Sequence, residues 1–578
     1  MAASESAHDV VIVGAGPAGT MLAIELGRRG VDVRLVERRE GRLRHPRASG
    51  IHARTMEYFR QLGLAGEIRR AGGLPVEDWS AFGYLTRLKD PDIGAIDMMA
   101  AKERIASLDA LSPEFLVWCA QDTLEGVLRK HALTFPSISV TYGLRAVGVV
   151  QDATGATVTA AGENGTEHRV RGRYVVGADG GRSTVRTAVG VSAPESPVMS
   201  HQVNVCFEAD LRPFLRGRRY ILYFIINPET QGAFVTYDGD RRWVYSWDYD
   251  PGRQSPDDFT PEYCADVIRT AIGSSDVDIR VEGTFFWKVQ SALADSFHEG
   301  RVLLVGDAAH RFPPTGGFGM NSSLQDAQNL GWKLHEVLRG GAGAELLGTY
   351  DSERRTTARR NIATTLETAR KAAEVGWFAN DPARLAEIEG PGGAAVRQRI
   401  AEGIPGQEPQ FWSYGQQFGV TYDSAAVIPD GSPPVGSTVV DYRPTARPGA
   451  HAPHVWLESS AGERLSTIDL LHSRFVVLAP PSGQAWVDAA RSLAEARGTA
   501  ISAFTIGAGG DFRDPDGNWA KCYGLGPTGA VIVRPDGYVA FRAADLSAEQ
   551  SPAEVLGAAF GRLLGTAEPG PGGGEAGR

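Results

Sequence analysis

The sequence predicts an α/β fold, and three similar segments of the chain are the reason. In each segment, a short apolar run rich in β-branched residues is followed by a glycine-containing turn and then by a stretch with helical spacing of its apolar residues. The segments are DVVIVGAGPAG at residues 9–19, YVVGADGGRS at residues 174–183, and RVLLVGDAAH at residues 301–310 with the stretch that follows it. Strand–turn–helix units of this kind are typical of a parallel sheet covered by helices.

The composition limits the classes of function. The 578 residues suffice for roughly two to four domains. A formal charge of −10 argues against a nucleic-acid-binding surface, and no apolar run is long enough for a transmembrane helix. The N-terminus lacks the features of a secretory signal. We expect no nucleic-acid and no membrane partner.

The cysteines point to a reducing environment. They lie far apart and form no CxxC motif, which argues against a disulfide framework and against a cysteine metal site. The sequence therefore predicts a cytoplasmic location and no metal. The four residues are Cys119, Cys206, Cys264 and Cys522.

The first segment has the features of a dinucleotide-binding unit. Gly14 permits a tight turn, Gly16 lets the backbone approach a pyrophosphate, and Gly19 lets the helix pack closely on the strand. Glu37 follows a second predicted strand, Val31–Val36, at a position from which a carboxylate can bind both hydroxyls of a ribose. This Rossmann-type pattern predicts binding of an unphosphorylated ribose, as in the ADP half of FAD or NAD.

The third segment predicts an anion-binding corner. A strand, Arg301–Val305, leads through Gly306–Asp307 into a loop rich in proline and glycine. We expect a helix from Ser322, because apolar residues recur at helical spacing after it. The first turn of a helix has unpaired N–H groups and the positive end of the helix dipole, so a negative group is expected beside it. The apolar positions are Leu324, Ala327, Leu330 and Leu334.

In their order and spacing, three motifs resemble those of a known family. They are GAGPAG, GADGGRSTVR and GDAAHRFPPTGGFGMNSSLQDAQNLGWKL. They are similar to those of the class A FAD-dependent aromatic monooxygenases, the para-hydroxybenzoate and phenol hydroxylase family. The resemblance covers about residues 8–375, and a weaker one extends through the C-terminus, where larger members carry a thioredoxin-like domain.

The resemblance implies the domain organisation. We expect a Rossmann-type FAD-binding domain with an interleaved mixed-sheet substrate domain, followed by a thioredoxin-like domain that lacks CxxC and serves packing or dimerisation. The expected parts are a first FAD-binding part at 1–190, a substrate-binding β-sheet domain at 191–295, a second FAD-binding part at 296–390, a linker at 391–440, the thioredoxin-like domain at 441–565 and a disordered tail at 566–578.

The resemblance also implies which residues hold FAD. The first turn and its acid would bind the ADP part, the second motif would take part in FAD and NAD(P)H handling, and the third would place Asp307 on the ribityl chain. Gln121 matches a ligand-contacting position, but it could equally cap the helix at whose start it lies. The implied residues are Gly14, Gly16, Pro17, Ala18, Gly19, Glu37, Arg38, Arg47, Gln121, Asp179, Gly306, Asp307, Pro314, Gly317, Met320 and Asn321.

The implied reaction is hydroxylation of an aromatic ring. In the family, NAD(P)H reduces FAD, O2 adds to give a C4a-hydroperoxyflavin, and a hydroxyl group passes to an electron-rich ring. The arginines from Arg38 to Arg44 favour NADPH. The third motif and the C-terminal domain look most like bacterial aromatic polyketide hydroxylases, so a polycyclic phenol is the preferred substrate, and a homodimer is a further expectation.

The same scaffold is compatible with other functions. Baeyer–Villiger oxygen insertion and a flavin-binding protein without catalysis both stay open as alternatives. A flavin-dependent halogenase is disfavoured, because Trp243–Trp247 does not match the WxWxIP segment of that class.

Residues 200–290 are rich in predicted strands and in aromatics, a composition typical of pockets for flat ligands. Phenol hydroxylases have an acid and a tyrosine that activate the phenol, but this chain has Ser49 at the position of the acid and no tyrosine near Trp287, where the family's tyrosine would lie. The candidate catalytic replacements are His52, Trp287 and Gln290. The expected pocket residues are Tyr223, Phe224, Phe234, Tyr245, Trp287 and Phe318.

Overall fold

A computed structural model of the chain describes residues 7–41, 45–79, 81–100, 102–377, 382–471 and 473–566. Arg42 and Arg44 of the predicted arginine cluster lie outside these residues, as does the predicted tail apart from Thr566. Within the described ranges, no helix is both long enough and apolar enough to cross a membrane.

The strands within these ranges are β1 Ala7–Val13, β2 Val33–Val36, β3 Gly50–Ile51, β4 Ala81–Leu85, β5 Asp92–Asp97, β6 Val117–Trp118, β7 Ile138–Thr141, β8 Arg145–Gln151, β9 Ala156–Ala161, β10 Glu167–Gly177, β11 Ser200–Glu208, β12 Tyr220–Ile226, β13 Gln231–Thr236, β14 Arg242–Asp248, β15 Arg280–Val289, β16 Ala292–Leu293, β17 His298–Glu299, β18 Val302–Leu304, β19 His310–Arg311, β20 Trp456–Glu458, β21 Arg464–Ser466, β22 Phe475–Ala479, β23 Ile501–Thr505, β24 Ala530–Val533 and β25 Val539–Ala543.

The α-helices within the same ranges are α1 Pro17–Gly27, α2 Ala53–Gln61, α3 Ala65–Gly72, α4 Lys102–Leu108, α5 Gln121–Ala132, α6 Thr184–Ala188, α7 Pro261–Ile272, α8 Phe318–Leu338, α9 Gly348–Glu374, α10 Pro382–Glu387, α11 Gly393–Gly403, α12 Tyr414–Phe418, α13 Gln484–Arg497, α14 Trp519–Tyr523 and α15 Pro552–Leu563.

The first sheet has the strand order β17-β18-β10-β1-β2-β7, with β9 paired to β10 and β8 to β9. Strands β18, β10, β1, β2 and β7 are parallel to one another. Their carboxyl ends are in register, so that Val13 lies beside both Val36 and Gly177, and Gly177 lies beside Leu304. The turns that follow these strands therefore meet at one edge of the sheet, where open α/β sheets bind their ligands.

The second sheet has the order β15-β11-β14-β13-β12-β4-β5. It is mixed, because β4 pairs with β12 in parallel while its other pairs are antiparallel. Strands β4 and β5 come from residues 81–97, which our domain boundaries placed in the first FAD-binding part. The pairing of β4 with β12 joins segments far apart in the chain, and local sequence patterns do not show such pairs.

The segment 391–440, which we predicted to be a linker, packs against the second sheet. It contains α11 and α12, and its buried side chains pack in one core with residues of the second sheet. The prolines and glycines of this segment predicted its turns. The aromatic and aliphatic residues between the turns are buried against the second sheet, which the linker prediction did not foresee. The buried residues are Val396, Ile400, Ile404, Trp412, Tyr414 and Phe418.

The C-terminal domain has a four-stranded sheet of order β23-β22-β24-β25, in which only the β22–β23 pair is parallel. Helix α13 lies between those two parallel strands in the chain, because parallel neighbours need a crossover connection. Its one cysteine, Cys522, is a free thiol, as are the three other cysteines of the chain. A single thiol cannot form a dithiol couple.

Candidate functional site

The three glycine-containing turns form one cleft through close backbone contacts. A Cβ atom at Gly14 would overlap the carbonyl oxygen of Ala178, which precedes Asp179. A Cβ atom at Gly306 would lie 3.1 Å from the Cβ atom of Ala18. Gly14 also has a φ of 106°, a left-handed conformation that favours glycine. The three motifs that the sequence separates by more than a hundred residues thus touch one another.

The first turn leaves an open cradle beside Gly16. Among the described residues, none outside the immediate neighbours of Gly16 lies within 4 Å of the place where a Gly16 Cβ atom would stand, whereas a Cβ atom at Gly19 would overlap the Gly14 carbonyl oxygen. Glu37 lies beside this cradle, and its Oε2 atom accepts a hydrogen bond of 2.7 Å from the Ala15 N–H group. Open backbone at a helix N-terminus, with a fixed carboxylate next to it, suits a pyrophosphate and its ribose.

Asp307 is an exposed carboxylate between two buried residues, Gly306 and Ala308. The side chain faces the cleft, and the surrounding protein raises its pKa through desolvation, while the charges of His310 and Arg47 oppose that rise. Within the described residues no hydrogen bond to this carboxylate is formed, so it is available to a ligand.

The turn that carries Asp307 is held by Asp326 of α8. The Asp326 Oδ2 atom accepts hydrogen bonds from the Gly306 N–H group at 3.1 Å and from His310 Nε2 at 2.6 Å. The Oδ1 atom accepts one from Arg354 Nε at 2.7 Å. Burial alone would raise the pKa of Asp326, but the charges of His310 and Arg354 hold it below its ordinary value. Sequence reasoning missed this residue, because Asp326 is one of many polar residues in α8 and its partners come from other elements.

Asp179 of the second motif caps the helix that follows it. One carboxylate oxygen accepts from the Ser183 hydroxyl, and the other accepts from the N–H groups of Thr184 and Val185 at 2.7 and 3.1 Å. These bonds satisfy the unpaired N–H groups at the start of α6. The contribution of Asp179 to the cleft is therefore the shape of the turn, and its direct contact with the cofactor stays a prediction.

The loop after the third motif enters its helix earlier than we expected. Helix α8 begins at Phe318 and not at Ser322. Gly316 and Gly317 have φ values of 78° and 68°, and these left-handed residues turn the chain directly into the helix. Pro314 and Gly317 are exposed in the cleft, while Met320 and Asn321 are buried beneath it.

His52 and Asn321 brace this loop. The Asn321 side chain accepts from the His52 N–H group at 2.9 Å and donates to the carbonyl oxygens of Gly317 and Gly50 at 2.8 and 3.0 Å. His52 Nε2 lies 2.8 Å from the Gly316 carbonyl oxygen. A carbonyl oxygen only accepts, so Nε2 carries the proton.

Burial lowers the pKa of His52 to about 4, so the imidazole is neutral near pH 7. With one nitrogen bonded to the loop and so low a pKa, His52 is a brace and a poor proton acceptor. We therefore correct its predicted role as the substrate-activating group.

The other predicted FAD-contacting residues lie at the mouth of the cleft. Arg38 and Arg47 are exposed. Gln121 is the first residue of α5, and the residue in the capping position is Ala120, so the capping alternative for Gln121 is not realised. The Gln121 side chain instead donates to Glu125 Oε1 at 2.8 Å.

Three predicted pocket residues lie on the wrong face of the second sheet. Tyr223, Phe234 and Tyr245 are fully buried in a core formed with residues of α7. Successive side chains of a strand point to opposite faces, and these three share the face that α7 covers. The sequence showed which residues alternate but not which face the helix would cover, so their assignment to the pocket is wrong.

Two further predicted pocket residues are buried as well. Phe224 stacks on Tyr84 with 4.7 Å between ring centroids, in the core that the 391–440 segment completes. Phe318 is buried at the start of α8 and meets the His52 ring edge-on at 5.0 Å. Phe318 thus packs beneath the loop that precedes α8, and its contact with a substrate stays a prediction.

The face of the sheet opposite α7 carries Trp287, Asn204 and Ser246 side by side on three adjacent strands. Trp287 Nε1 donates to Asn204 Oδ1 at 2.7 Å, and the Ser246 hydroxyl donates to the same oxygen. All three are half-buried. Asn204 and Ser246 were not singled out from the sequence, because the only signal was a polar residue at an alternating position of a strand.

Gln290 does not join this group. It is buried and hydrogen-bonds Glu195, which forms an ion pair with Arg311. Arg311 in turn packs against Gly181 of the second motif. The surroundings of Gln290 thus give it a structural role, and they do not support the catalytic role that we predicted.

Comparison with known proteins agrees with this architecture. A family model described as the FAD binding domain matches residues 7–365, and one described as the C-terminal domain of aromatic-ring hydroxylases matches residues 445–567. The chain therefore belongs to the class A FAD-dependent aromatic monooxygenases. The predicted family, the fold class and FAD as the cofactor are confirmed.

Particular relatives are similar over nearly their whole length. The chain is 35% identical to tetracenomycin A2 monooxygenase-dioxygenase of Streptomyces glaucescens over 582 aligned residues, which cover 98% of each chain. The structure of the flavin-dependent monooxygenase PieE in complex with FAD and substrate matches with a TM-score of 0.89 at 32% identity, over 98% of this chain and 100% of that one. A ternary complex of aklavinone-11 hydroxylase with FAD and aklavinone matches with a TM-score of 0.81 at 32% identity, over 96% and 99%.

Proposed function

We propose that this monooxygenase hydroxylates a polycyclic aromatic phenol of the polyketide type, with NADPH as the reductant and O2 as the oxidant. The observation that carries the proposal is the cleft itself. An open cradle at Gly16, an exposed carboxylate at Asp307 and the glycine loop from Pro314 to Gly317 follow strands of the first sheet at one edge. The second sheet presents a face of apolar and aromatic side chains toward the segment that leads into this cleft.

The residues present fit FAD. Gly16 would let the backbone approach the pyrophosphate, Glu37 would bind the adenosine ribose and Asp307 the ribityl hydroxyls. When bound, FAD supplies the redox and oxygen chemistry. The loop from Pro314 to Gly317 would lie along the isoalloxazine ring, with the N-terminus of α8 directed at its anionic end.

The protein's own contribution is position and exclusion of water. Asn321 and His52 fix the loop, so its exposed backbone is preorganised and does not have to rearrange during the reaction. The face of the second sheet opposite α7 is largely aromatic and apolar around Asn204 and Ser246, which favours a flat aromatic ligand and limits access of water.

The proposed reductant and cellular environment follow from the charged residues and the cysteines. The exposed arginines Arg38 and Arg39 favour NADPH over NADH, because a 2′-phosphate would gain two nearby positive charges. Four free thiols fit a reducing, cytoplasmic environment. Association as a homodimer stays a prediction, as does the absence of a nucleic-acid or membrane partner.

The test uses the purified, FAD-loaded protein. We expect it to oxidise NADPH faster in the presence of polycyclic hydroxyquinones than with monocyclic phenols, and to place one atom of ¹⁸O2 on the ring as a hydroxyl group. Incorporation into a new ester or lactone would replace hydroxylation by the Baeyer–Villiger alternative. No stimulation by any aromatic compound would favour a flavin-binding protein without catalysis. Stimulation by monocyclic phenols alone would overturn the proposed substrate class.

A further inference from the structure

We infer that Asn204 is the hydrogen-bond donor that recognises an oxygen substituent of the aromatic ligand on the wall of the second sheet. The inference deepens the proposed function and rests on it. Asn204 lies on β11 between two neighbours of the same row, Phe285 on β15 and Ser246 on β14. These three residues are half-buried on the face opposite α7.

The orientation of the Asn204 amide follows from its partners. The indole N–H group of Trp287 only donates, and it lies 2.7 Å from the Asn204 atom built as Oδ1. That atom must therefore be the oxygen, and the Ser246 hydroxyl donates to it as well. Both lone pairs of Oδ1 are then used. The Nδ2 group makes no hydrogen bond to any described residue and keeps two donors for a ligand.

Contacts at the neighbouring row show that this face is turned toward the FAD cleft. Cys206, two residues after Asn204 on the same face, lies with its Sγ atom 3.1 Å from His45 Nδ1. The His45 ring stacks on Phe285 with 3.9 Å between centroids. His45 is two residues before Arg47, in the segment that continues to His52 and the loop under the proposed isoalloxazine position. Asn204 therefore lies on the wall that faces the cleft and not on the outer surface.

The surroundings of the amide determine which chemistry it can select. Apolar side chains make up most of the rest of this face, and they include Leu222, Val235, Val244 and Phe285, while the polar groups of Ser246, Trp287 and Gln202 already donate to other residues. The free Asn204 donor favours a ligand with an acceptor oxygen at the matching place, because a ligand without one leaves the amide unpaired and desolvated. A phenolate or a quinone carbonyl oxygen has this chemistry.

The experiment compares two planar tricyclic probes, 1-hydroxyanthraquinone and anthracene, with the FAD-loaded enzyme. Dissociation constants are measured from the perturbation of the flavin absorption spectrum. We expect the wild-type protein to bind 1-hydroxyanthraquinone more tightly, and Asn204→Leu to weaken that binding by about 10- to 100-fold while changing anthracene binding by less than about threefold. Asn204→Asp replaces the donor with an acceptor of the same shape, and the same loss is expected.

Gln202→Leu is the matched control. Gln202 lies on the same strand and face, but its Nε2 group already donates to the Ser200 hydroxyl at 2.9 Å. The Gln202→Leu variant should bind both probes with nearly the dissociation constants of the wild-type protein. FAD content and the thermal unfolding midpoint of each variant show whether it is folded.

Three outcomes would overturn the assignment of Asn204: equal binding of both probes by the wild-type protein, equal loss of both probes in Asn204→Leu, or no loss in Asn204→Asp. Selective binding without stimulation of NADPH oxidation by any aromatic compound would contradict the proposed hydroxylation and leave the assignment of Asn204 standing.

Discussion

Arg534 of the C-terminal domain forms two hydrogen bonds with Glu353 of the long helix α9. Arg534 NH1 donates to Oε1 at 2.6 Å and NH2 donates to Oε2 at 2.9 Å, and both residues are fully buried. Lys333 of α8 also donates to Oε2, at 2.7 Å. Burial alone would raise the pKa of Glu353, but the charges of Arg534 and Lys333 hold it well below its ordinary range.

This contact is one of several buried bonds that attach the C-terminal domain to the rest of the protein. The turn between β24 and β25 also places the Asp536 carbonyl oxygen 3.1 Å from Arg54 NH2, two residues after His52. The Asp536 Oδ2 atom also accepts from Asn329 Nδ2 of α8 at 2.9 Å, so the domain is joined to both α2 and α8. Packing, which we expected of this domain in place of redox chemistry, is consistent with these buried bonds.

The ion pair predicts a large loss of stability in Arg534→Met. Removing the guanidinium leaves Glu353 and Asp536 buried with fewer partners, which is expected to lower the free energy of unfolding by about 3–5 kcal/mol. Chemical denaturation of the wild-type and variant proteins measures this free energy. Arg370→Met is the matched control, since Arg370 pairs with Glu367 and Glu374 on the exposed side of α9. A control effect within about 1 kcal/mol is expected, and similar losses in both variants would contradict a special role for Arg534.

Substitutions of the two aspartates of the third motif should have different effects, one on FAD binding and the other on stability. Asp307→Asn is expected to weaken FAD binding by roughly 10- to 100-fold, because a charged acceptor is lost where no described residue bonds the carboxylate. The thermal midpoint of its apoprotein should stay unchanged. Asp326→Asn should instead lower that midpoint, since His310 and Arg354 lose their buried counter-charge. Fluorescence titration with FAD and calorimetry of the apoproteins measure the two effects, and loss of stability in Asp307→Asn would refute the separation.

Tyr245→Phe tests the reassignment of the aromatic residues on the covered face. The Tyr245 hydroxyl lies 2.8 Å from Thr230 Oγ1 inside the core. Its removal should cost about 1 kcal/mol of stability and leave KM for the aromatic substrate within about twofold. A tenfold change in KM with unchanged stability would place Tyr245 in the pocket after all.

Glu57 predicts a pH-dependent stability. Burial raises its pKa from 4.5 to about 7, and the nearby Arg54 opposes the rise. Below pH 4.5 the carboxyl is protonated in both states and contributes nothing. Between pH 4.5 and 7 the unfolded chain loses this proton and the folded chain keeps it, so the free energy of unfolding falls by about 3 kcal/mol as the pH rises.

Glu57→Gln removes this titration while keeping an oxygen that can accept from the Ser112 hydroxyl, now 2.8 Å from Glu57 Oε1. Denaturation at a series of pH values should show a smaller decline for the variant than for the wild type between pH 5 and 7. Parallel curves would show that Glu57 does not titrate in this window.

Local patterns were sufficient for the FAD-binding half. Each motif there is contiguous, and each glycine or acid acts through its own strand, turn and helix. The start of α8 was misplaced because the two left-handed glycines, Gly316 and Gly317, determine where the helix begins. The supporting acid Asp326 was missed because its partners, His310 and Arg354, come from other elements.

The sequence by itself determined the family, the fold class and the cofactor, because these depend on local geometry repeated in three motifs. Only the tertiary structure decided which face of the second sheet can meet a substrate. That choice depends on where α7 packs, and a strand's alternation is the same for either face. The same packing moved Tyr223, Phe234 and Tyr245 into the core and left Asn204 on the wall of the cleft.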